Sequence, residues 1–315
     1  MRAAARAIGV LIAVAVVAWV CAEAAPGTAG ERAARAAGLL PTDDKSVSEE
    51  TRAEIVAEVE DELGLDRSFP SRLGSYLVGL VTLDMGRSWR DGEPVRTRVG
   101  EAMAPTLALI FAALLLTLAI GIGAALVAVE RRGGADLLVS AAAATVIALP
   151  TVWIAILALR TFAFGSPWRW FPVAGIGVLP VVALAIVPAF ILARYARAGM
   201  LERLGEPWAT AVLARGATRR RLVYVHALRV AASGLVSVSV TLVAYLLGAT
   251  LVIERVFSIR GIGALVLDAA ARGDAPVVVG VAVAIGALLA VVSLSADAVR
   301  RALDPRLRDE VMRGA

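Results

Sequence analysis

Six apolar runs of about 20 residues constrain this chain more than any other feature of its sequence. They cover residues 7–25, 106–129, 137–164, 178–195, 230–253 and 276–294. A helix needs roughly 20 apolar residues to cross the hydrocarbon core of a bilayer. Among spanning structures, helices satisfy all their backbone polar groups within one segment. The runs therefore predict an all-α polytopic membrane protein with six transmembrane helices.

The composition and charge distribution also indicate a membrane protein. The 315-residue chain is 59% hydrophobic, which is more than one soluble core of this size could bury. Its net charge of +5 comes from arginines that lie mainly at the ends of apolar runs, where they indicate orientation. We expect membrane lipid as a partner and no nucleic acid. The chain has a single cysteine, Cys21, and a single histidine, His226. We therefore expect neither an intramolecular disulfide nor a metal site.

The segment 204–229 sets the orientation of the predicted helices. Its arginines far outnumber its one acidic residue, Glu206, and such an excess is typical of cytoplasmic loops. The arginines are Arg215, Arg219, Arg220, Arg221 and Arg229. With this segment inside, six helices satisfy every charge signal, and both chain termini are predicted to be cytoplasmic, including a tail at 304–315.

The same segment is amphipathic, with a break at Gly216. Apolar residues recur at roughly helical spacing on both sides of the break: Trp208, Val212 and Leu213 before it, and Leu222, Val225 and Leu228 after it. This pattern predicts two short helices joined at a glycine. An apolar stripe beside a basic one suits docking to another protein or to lipid, and we favour a protein partner.

The N-terminal third is predicted to contain one helix and an external insertion. Residues 1–25 are expected to form the first transmembrane helix; the alternative is a cleaved signal peptide, because Ala22-Glu23-Ala24 resembles a cleavage site. The polar segment 26–100 is expected outside. Within it, Ser48 is predicted to cap a helix that ends before Gly64. The insertion is either a small cap on the helix ends or a contact surface for a substrate-delivering protein.

Residues 101–303 are expected to form a five-helix core that contains several helix-breaking or small residues. Pro150 and Pro188 remove backbone hydrogen bonds, whereas Gly121, Gly123 and Gly248 permit close helix approach. One interpretation is ordinary packing with kinks. The other is that these helices line a path and shift against each other. The candidate lining residues are Pro150, Thr151, Ser237, Thr241 and Tyr245.

The sequence offers this path no energy source or catalytic site of its own. No acidic residue falls at the centre of a predicted helix, which disfavours a proton- or sodium-coupled carrier. The one lysine, Lys45, follows no glycine-rich loop, so a P-loop is absent. Neither HExxH nor GxSxG occurs. We therefore expect no enzyme, no catalytic residues and no cofactor, with energy supplied by a partner.

An ordered set of short motifs resembles the permease subunits of dipeptide, oligopeptide and nickel ABC importers. The motifs include Glu62-Leu63-Gly64-Leu65-Asp66, Trp170-Phe171-Pro172-Val173, His226-Ala227-Leu228-Arg229, Glu254-Arg255-Val256-Phe257-Ser258 and Leu303-Asp304-Pro305-Arg306. The segment from Thr210 also resembles the EAA loop, by which such permeases couple to their ATPases. It departs from that pattern at Thr210, where glutamate is expected, and at Val212, where a second alanine is expected.

This resemblance implies the ABC importer type I permease fold and a set of ATPase-coupling residues. The set consists of Thr210, Ala211, Ala214, Arg215, Gly216, Arg219 and His226. It further implies a location in the bacterial plasma membrane and three kinds of protein partner: a second homologous permease, two cytoplasmic ATPases and an extracytoplasmic solute-binding protein. Di- or oligopeptides are the implied substrates, with nickel or another metal chelate as the alternative. A nucleotide-independent channel or membrane scaffold is the remaining alternative from the residues alone.

Overall fold

The computed structural model describes residues 2–41, 47–131, 133–164 and 174–303, and it is built of helices. The first helices are α1 (Arg2–Glu23), α2 (Ala29–Ala36), α3 (Glu49–Leu63), α4 (Phe69–Val81), α5 (Val95–Arg131), α6 (Gly134–Ala148) and α7 (Thr151–Leu159). The later ones are α8 (Val178–Leu204), α9 (Pro207–Ala214), α10 (Arg219–Arg221), α11 (Leu228–Val256), α12 (Ile262–Arg272) and α13 (Ala275–Leu303). Two π-helical segments, Arg160–Phe164 and Leu222–Ala227, follow α7 and α10. The all-α prediction is confirmed.

Most of the predicted membrane spans correspond to long apolar helices. Within the described residues, four are long and apolar enough to cross a bilayer: α5, α8, the part of α11 at Gly234–Val256, and α13 up to Ala302. The bent pair of α6 and α7 makes a fifth candidate. The apolar part of α1, Ala7–Glu23, is shorter than these helices. A sixth crossing, by residues 1–25, therefore stays a prediction.

The predicted run 137–164 is not one straight helix. The two halves of this run are bent by 95° at the break between Ala148 and Thr151. Leu149 is extended, with φ −86° and ψ 130°, because the ring of Pro150 disfavours helical backbone in the preceding residue. Pro150 also has no N–H to donate to the preceding turn. By contrast, Pro188 lies within the continuous helix α8.

Two further differences concern the ends of the predicted runs. Helix α5 begins at Val95, inside the segment predicted as the external insertion, and includes Pro105. The connection between the predicted runs 230–253 and 276–294 contains a helix of its own, α12, which ends at Gly273 in the left-handed conformation (φ 79°). Its apolar residues Ile262 and Ala269 are buried, which explains why a segment between two spans folds as a helix.

The chain divides into two compact units. The first comprises residues 1–106 and 260–290, and the second comprises residues 107–259 and 291–315. The boundaries of these units differ from those of the predicted segments 1–25, 26–100, 101–303 and 304–315. The division into those segments remains a prediction. The tail at 304–315 lies outside the described residues.

Local capping signals determine the short helices of the first unit. Helix α3 begins with Ser48, whose side chain accepts a hydrogen bond from the Thr51 N–H, and it ends at Gly64 in the left-handed conformation, as predicted. In α2, Thr28 and Glu31 form a capping box. The buried Arg32 donates to the carbonyl oxygens of Ala25 (2.8 Å) and Gly27 (2.7 Å), just beyond the end of α1. The arginine thereby connects α2 to the end of α1.

A buried carboxylate connects distant parts of the first unit. Asp274 is 1% exposed and accepts hydrogen bonds from the Ser88 hydroxyl (2.5 Å) and the Trp89 backbone N–H (3.1 Å). The turn at Gly273 places Asp274 directly after α12. Hydrogen bonds from neutral donors to a buried carboxylate stabilise more than those between two neutral groups. Asp274 therefore fixes the turn before α5 against the α12–α13 junction.

Helix α8 is the centre of the second unit. Leu192, Ala196 and Met200 are fully buried in a cluster with residues of α5 and α11. Gly121 permits the close approach of α5, because a Cβ atom there would lie 2.8 Å from the Ala189 carbonyl oxygen. The same prediction for Gly123 and Gly248 is wrong within the described chain, since a Cβ atom at either would meet open space.

We expect Asp274→Ala to lower the free energy of unfolding by about 3 kcal/mol, because it leaves the Ser88 and Trp89 donors buried without an acceptor. Thermal unfolding of the purified chain in detergent measures this change. Asp66→Ala, an exposed aspartate in the same unit, is the control and should change stability by less than about 0.5 kcal/mol. Equal effects of the two substitutions would contradict the role given to Asp274.

Candidate coupling surface and path

Helix α9 presents three of the seven predicted coupling residues to solvent. Proline at its first position, Pro207, is preorganised for a helix start because its φ is fixed and no N–H is lost there. Ala209 is 3% exposed and anchors the helix. Thr210, Ala211 and Ala214 are exposed on the rest of its surface. These small side chains leave an open helical face on which a partner can pack closely.

The turn after α9 is a Schellman motif centred on Gly216. The Gly216 N–H donates to the Leu213 carbonyl (2.9 Å), and the Ala217 N–H donates to that of Val212 (3.4 Å). Gly216 has φ +84°, a conformation that side-chain-bearing residues rarely adopt. A Cβ atom there would meet open space, so backbone conformation rather than room requires the glycine. The predicted break at Gly216 is confirmed, and so is the short helix before it. The second predicted short helix is wrong, because the helix that begins at Arg219 continues without interruption to Val256.

The basic residues after the turn have different environments. Arg215 is exposed. Arg219 is also exposed, but its guanidinium donates to the carbonyl of Val129 (3.1 Å) and, at 3.5 Å, to that of Glu130, in the last turn of α5. A cation suits this helix end because the terminal carbonyls lack helical partners. Arg219 thus connects the coupling segment to α5, a contact that the sequence pattern did not predict.

A π-helical segment joins the short helix α10 to the long helix α11. Thr218 caps α10 by accepting from the Arg221 N–H, and Leu222–Ala227 then continues into α11 without a break. Val223 and Ala227 are fully buried in the cluster with Val129, Leu192 and Met200. His226 is half-buried in this segment. Such π-bulges often occur at functional sites.

The start of the coupling segment is fixed by Glu206. Its carboxylate accepts hydrogen bonds from the Arg203 guanidinium (2.8 Å) and the Trp208 indole N–H (3.0 Å). The hydrogen bond from Arg203 holds the pKa of Glu206 below its usual value, with a smaller contribution from Trp208. Glu206 therefore stays ionised and holds the junction of α8 and α9.

Three of the five predicted path residues line one groove. The groove has a volume of about 470 Å³ and lies between the start of α7 and the C-terminal half of α11. Pro150, Thr151 and Tyr245 line it, and the Thr151 and Tyr245 hydroxyls share a hydrogen bond of 2.9 Å. The rest of its lining is small or apolar: Val152, Ala244, Gly248, Ala249 and Val252. The bend at Pro150 is what brings Thr151 to this groove.

Ser237 and Thr241 lie outside the groove but on the same side of α11. Successive members of the series Ser237, Thr241, Tyr245 are four positions apart, so the three side chains form one stripe along the helix. Thr241 is exposed, and Ser237 accepts a hydrogen bond from Arg300 of α13 (3.2 Å). Arg300 also donates to Asp297.

Two polar contacts of the second unit escaped the sequence analysis. Arg300 meets Ser237 across 63 positions, and Arg197 of α8 makes a bidentate ion pair with Asp136 of α6 across 61 positions. The sequence shows that these charged residues lie near the ends of apolar runs. Their position there indicates how the helices are oriented in the membrane, but it does not indicate which residue each side chain contacts. Within the described ranges, no group of three or more His, Cys, Asp or Glu side chains could hold a metal ion.

The long apolar helices define the class of this chain, a multi-pass membrane protein. Comparison with known proteins gives the family. Residues 117–309, well over half the chain, match the model of the binding-protein-dependent transport system inner membrane component. This match includes the coupling segment and the groove.

Individual relatives cover most of the chain. A peptide transport system permease protein of Brucella abortus is 31% identical over an alignment of 269 residues, which covers 81% of this chain and 85% of the relative. The dipeptide transport system permease protein DppB of Escherichia coli is 27% identical over 305 residues, covering 86% of this chain and 89% of that protein. DppB of Alkalihalophilus pseudofirmus is 25% identical, with coverage of 83% and 88%.

A solved structure shows the same fold. The inward-facing MetNI methionine ABC transporter superposes with a TM-score of 0.54, covering 65% of this chain and 96% of the compared chain at 20% identity. The chain belongs to the binding-protein-dependent transport inner membrane component family, and it is a permease subunit of an ABC importer. It is thus a multi-pass membrane protein of a transport family, not an enzyme family. Membership implies an ATPase and a binding protein as partners.

We expect Thr151→Val and Tyr245→Phe to have non-additive effects on stability, because each removes one hydroxyl of a shared hydrogen bond. A double-mutant cycle on thermal unfolding should give a coupling energy of about 1 kcal/mol. The same cycle with Thr210→Val in place of Thr151→Val is the control. It should be additive, because Thr210 lies in α9, before the start of α11, and shares no hydrogen bond with Tyr245. Additivity in both cycles would contradict the hydrogen bond across the groove.

Proposed function

We propose that this chain forms half of the translocation path for di- or oligopeptides in an ATP-driven importer of the bacterial plasma membrane. It pairs with a second homologous permease and two cytoplasmic ATPases, and an extracytoplasmic solute-binding protein delivers the substrate. The relatives named as peptide or dipeptide permeases support the substrate class. The single observation that carries the mechanism is the exposed helix α9 on the Gly216 turn.

The orientation follows from the charge of the coupling segment. Arginines at 215, 219, 220, 221 and 229 lie between α9 and the start of α11, and cytoplasmic loops carry such an excess. With this segment inside, both chain termini are cytoplasmic and the insertion 26–100 is external.

The coupling residues divide into a contact surface and a transmission element. Thr210, Ala211, Ala214 and Arg215 form the surface that meets an ATPase, since all four are exposed beside the half-buried Trp208. Gly216, Arg219 and His226 transmit the movement. Arg219 connects the segment to α5, and the π-helical segment with His226 continues into α11. A push on α9 therefore reaches two long helices.

The path is formed by the stripe of Ser237, Thr241 and Tyr245 with the broken helix at Pro150 and Thr151. A bent helix is tolerated in a membrane where its freed backbone groups face protein or a water-filled cavity. ATP binding favours one of two access states, and the difference in affinity between the states sets the direction of transport. The permease itself then needs no chemistry.

The complete complex, reconstituted in vesicles, is expected to accumulate a labelled dipeptide when ATP is present on the ATPase side. A nickel–histidine chelate added in excess should not compete. The control is the purified chain without its ATPase, which should move no solute. Uptake by that chain alone would support a channel and contradict the proposal, and competition by the chelate would move the substrate class to metal chelates.

We expect Gly216→Val to uncouple ATP hydrolysis from uptake. A β-branched residue at φ +84° costs roughly 1–2 kcal/mol of backbone strain, which suffices to lower uptake about tenfold while the chain remains inserted. Gly216→Asn is the matched control, because asparagine tolerates the left-handed conformation, and it should retain most of the uptake. Unchanged uptake in Gly216→Val would contradict the coupling role of this turn.

A further inference from the structure

The end of helix α4 exposes large apolar side chains. Val78, Val81 and Leu83 are 70%, 85% and 68% exposed, and Val81 is the most exposed large apolar residue in the described ranges. We call these three residues the apolar tip of α4. Clusters of large exposed apolar side chains mark contacts with proteins, ligands or membranes. Neither the coupling mechanism nor the path uses the tip.

The backbone holds Leu83 in a conformation that leucine rarely adopts, with φ +58°. The turn is a Schellman motif: the Leu83 N–H donates to the Leu80 carbonyl (3.2 Å), and the Asp84 N–H donates to that of Gly79 (2.8 Å). In the Schellman turns that end α3, α9 and α12, the equivalent position is a glycine. The backbone therefore favours glycine at position 83. An exposed leucine there is explained when its side chain gains a contact beyond the chain itself.

The other side of α4 packs beside a membrane span. Tyr76 is buried in an apolar cluster with Val279 and Val283 of α13, and Leu80 packs against this cluster. The candidate span of α13 begins at Ala275. At 1.5 Å per residue, the two valines lie about 6 and 12 Å along that span. Helix α4 therefore lies alongside the apolar part of α13 and not above its end.

Two aromatic rings mark the level of the membrane surface at this contact. Trp19 of α1 and Tyr76 of α4 pack with ring centroids 4.8 Å apart. Tryptophan and tyrosine are enriched where a membrane meets water. One turn before Tyr76, Arg72 donates to Glu23 at the end of α1 (2.6 Å). Helix α4 thus runs from a charged level at Arg72 past the two rings, and its apolar tip follows on the apolar side.

The neighbouring helix α3 shows how a water-facing surface of the same unit differs. Its exposed side is acidic, with Glu50, Glu54, Glu58, Asp61 and Glu62. In α4 the one charged residue is Arg72, which is paired with Glu23. Helix α1 likewise exposes Val20, directly after Trp19. An uncharged exposed surface beside membrane spans is typical of a helix that lies in the membrane interface.

We propose that the apolar tip of α4 inserts into the lipid bilayer, in the leaflet that surrounds the Ala275 end of α13. In the orientation proposed above, this is the outer leaflet. Lipid acyl chains cover the three side chains of the tip, and this burial offsets the backbone cost of Leu83. The chain continues from the tip to Ser88 and Trp89, so insertion holds that segment at the membrane surface.

Spin-label accessibility measures the depth of the tip. Val81→Cys is made in a Cys21→Ala background and labelled with a nitroxide. The labelled chain is assembled with its partner subunits in nanodiscs of phosphatidylethanolamine and phosphatidylglycerol, without the binding protein. Collisions of the label with oxygen, which concentrates in hydrocarbon, are compared with collisions with a polar nickel chelate, which stays in water.

The matched control is Ala57→Cys in the same background, an exposed position of α3. We expect the nickel chelate to collide with the Val81 label about tenfold less often than with the Ala57 label, because hydrocarbon excludes polar molecules. Oxygen should collide with the Val81 label at least as often as with the control. Val78→Cys and Leu83→Cys should give the same pattern, so the result does not depend on one variant.

Two results would overturn the proposal. The first is that the nickel chelate reaches the Val81 label as often as the Ala57 label, because the tip would then face water. The second is that both reagents are excluded from the Val81 label, because another subunit would then cover the tip. The measurement reads depth and requires no transport, so it does not depend on the proposed substrate or on ATP-driven uptake.

Discussion

The Schellman turn at Gly216 is the constraint on which the coupling segment depends. It ends α9 with two backbone hydrogen bonds and requires a left-handed residue at one position. Because the turn ends α9 there, this helix can present its small exposed residues while the next segment packs into the buried cluster around Val223 and Met200. A short helix of eight residues would have little stability alone. Helix α9 is held in place by the buried Ala209 and by the hydrogen bonds of Glu206 at its start, so its exposed residues form a fixed surface.

The helix that follows this turn is continuous, so a contact made by the coupling segment can move the whole of α11. From Arg219 to Val256 the chain is helical throughout, with the π-helical segment between α10 and α11. The same helix carries Ser237, Thr241 and Tyr245, and Tyr245 meets Thr151 at the start of α7. In the proposed mechanism, a displacement of the surface that contacts the ATPase therefore moves the path residues of α11, because the helix between them is continuous.

Much of this arrangement can be predicted from sequence because its signals are local. Ser48 and Gly64 bound α3, Gly216 ends α9, and apolar runs indicate most of the spans. The prediction of one straight helix over 137–164 was wrong because the signal at Pro150 is local. A proline predicts a break in the helix, but it does not predict a 95° change of direction. The direction is set by what α7 packs against.

The contacts that sequence could not predict join residues far apart in the chain. The Asp136–Arg197 pair and the Arg300–Ser237 contact each span more than sixty positions, and a single sequence contains no periodic pattern that relates them.

Thiol labelling of Arg215→Cys tests whether the coupling segment is cytoplasmic and is covered by an ATPase. The background is Cys21→Ala, because Cys21 is the one native cysteine. A membrane-impermeant reagent is added to intact cells, to inverted vesicles containing the permease alone, and to inverted vesicles containing the assembled importer. The account predicts no labelling in cells, labelling in the first vesicles, and protection by the ATPase in the second. Labelling in intact cells, or equal labelling with and without the ATPase, would contradict it.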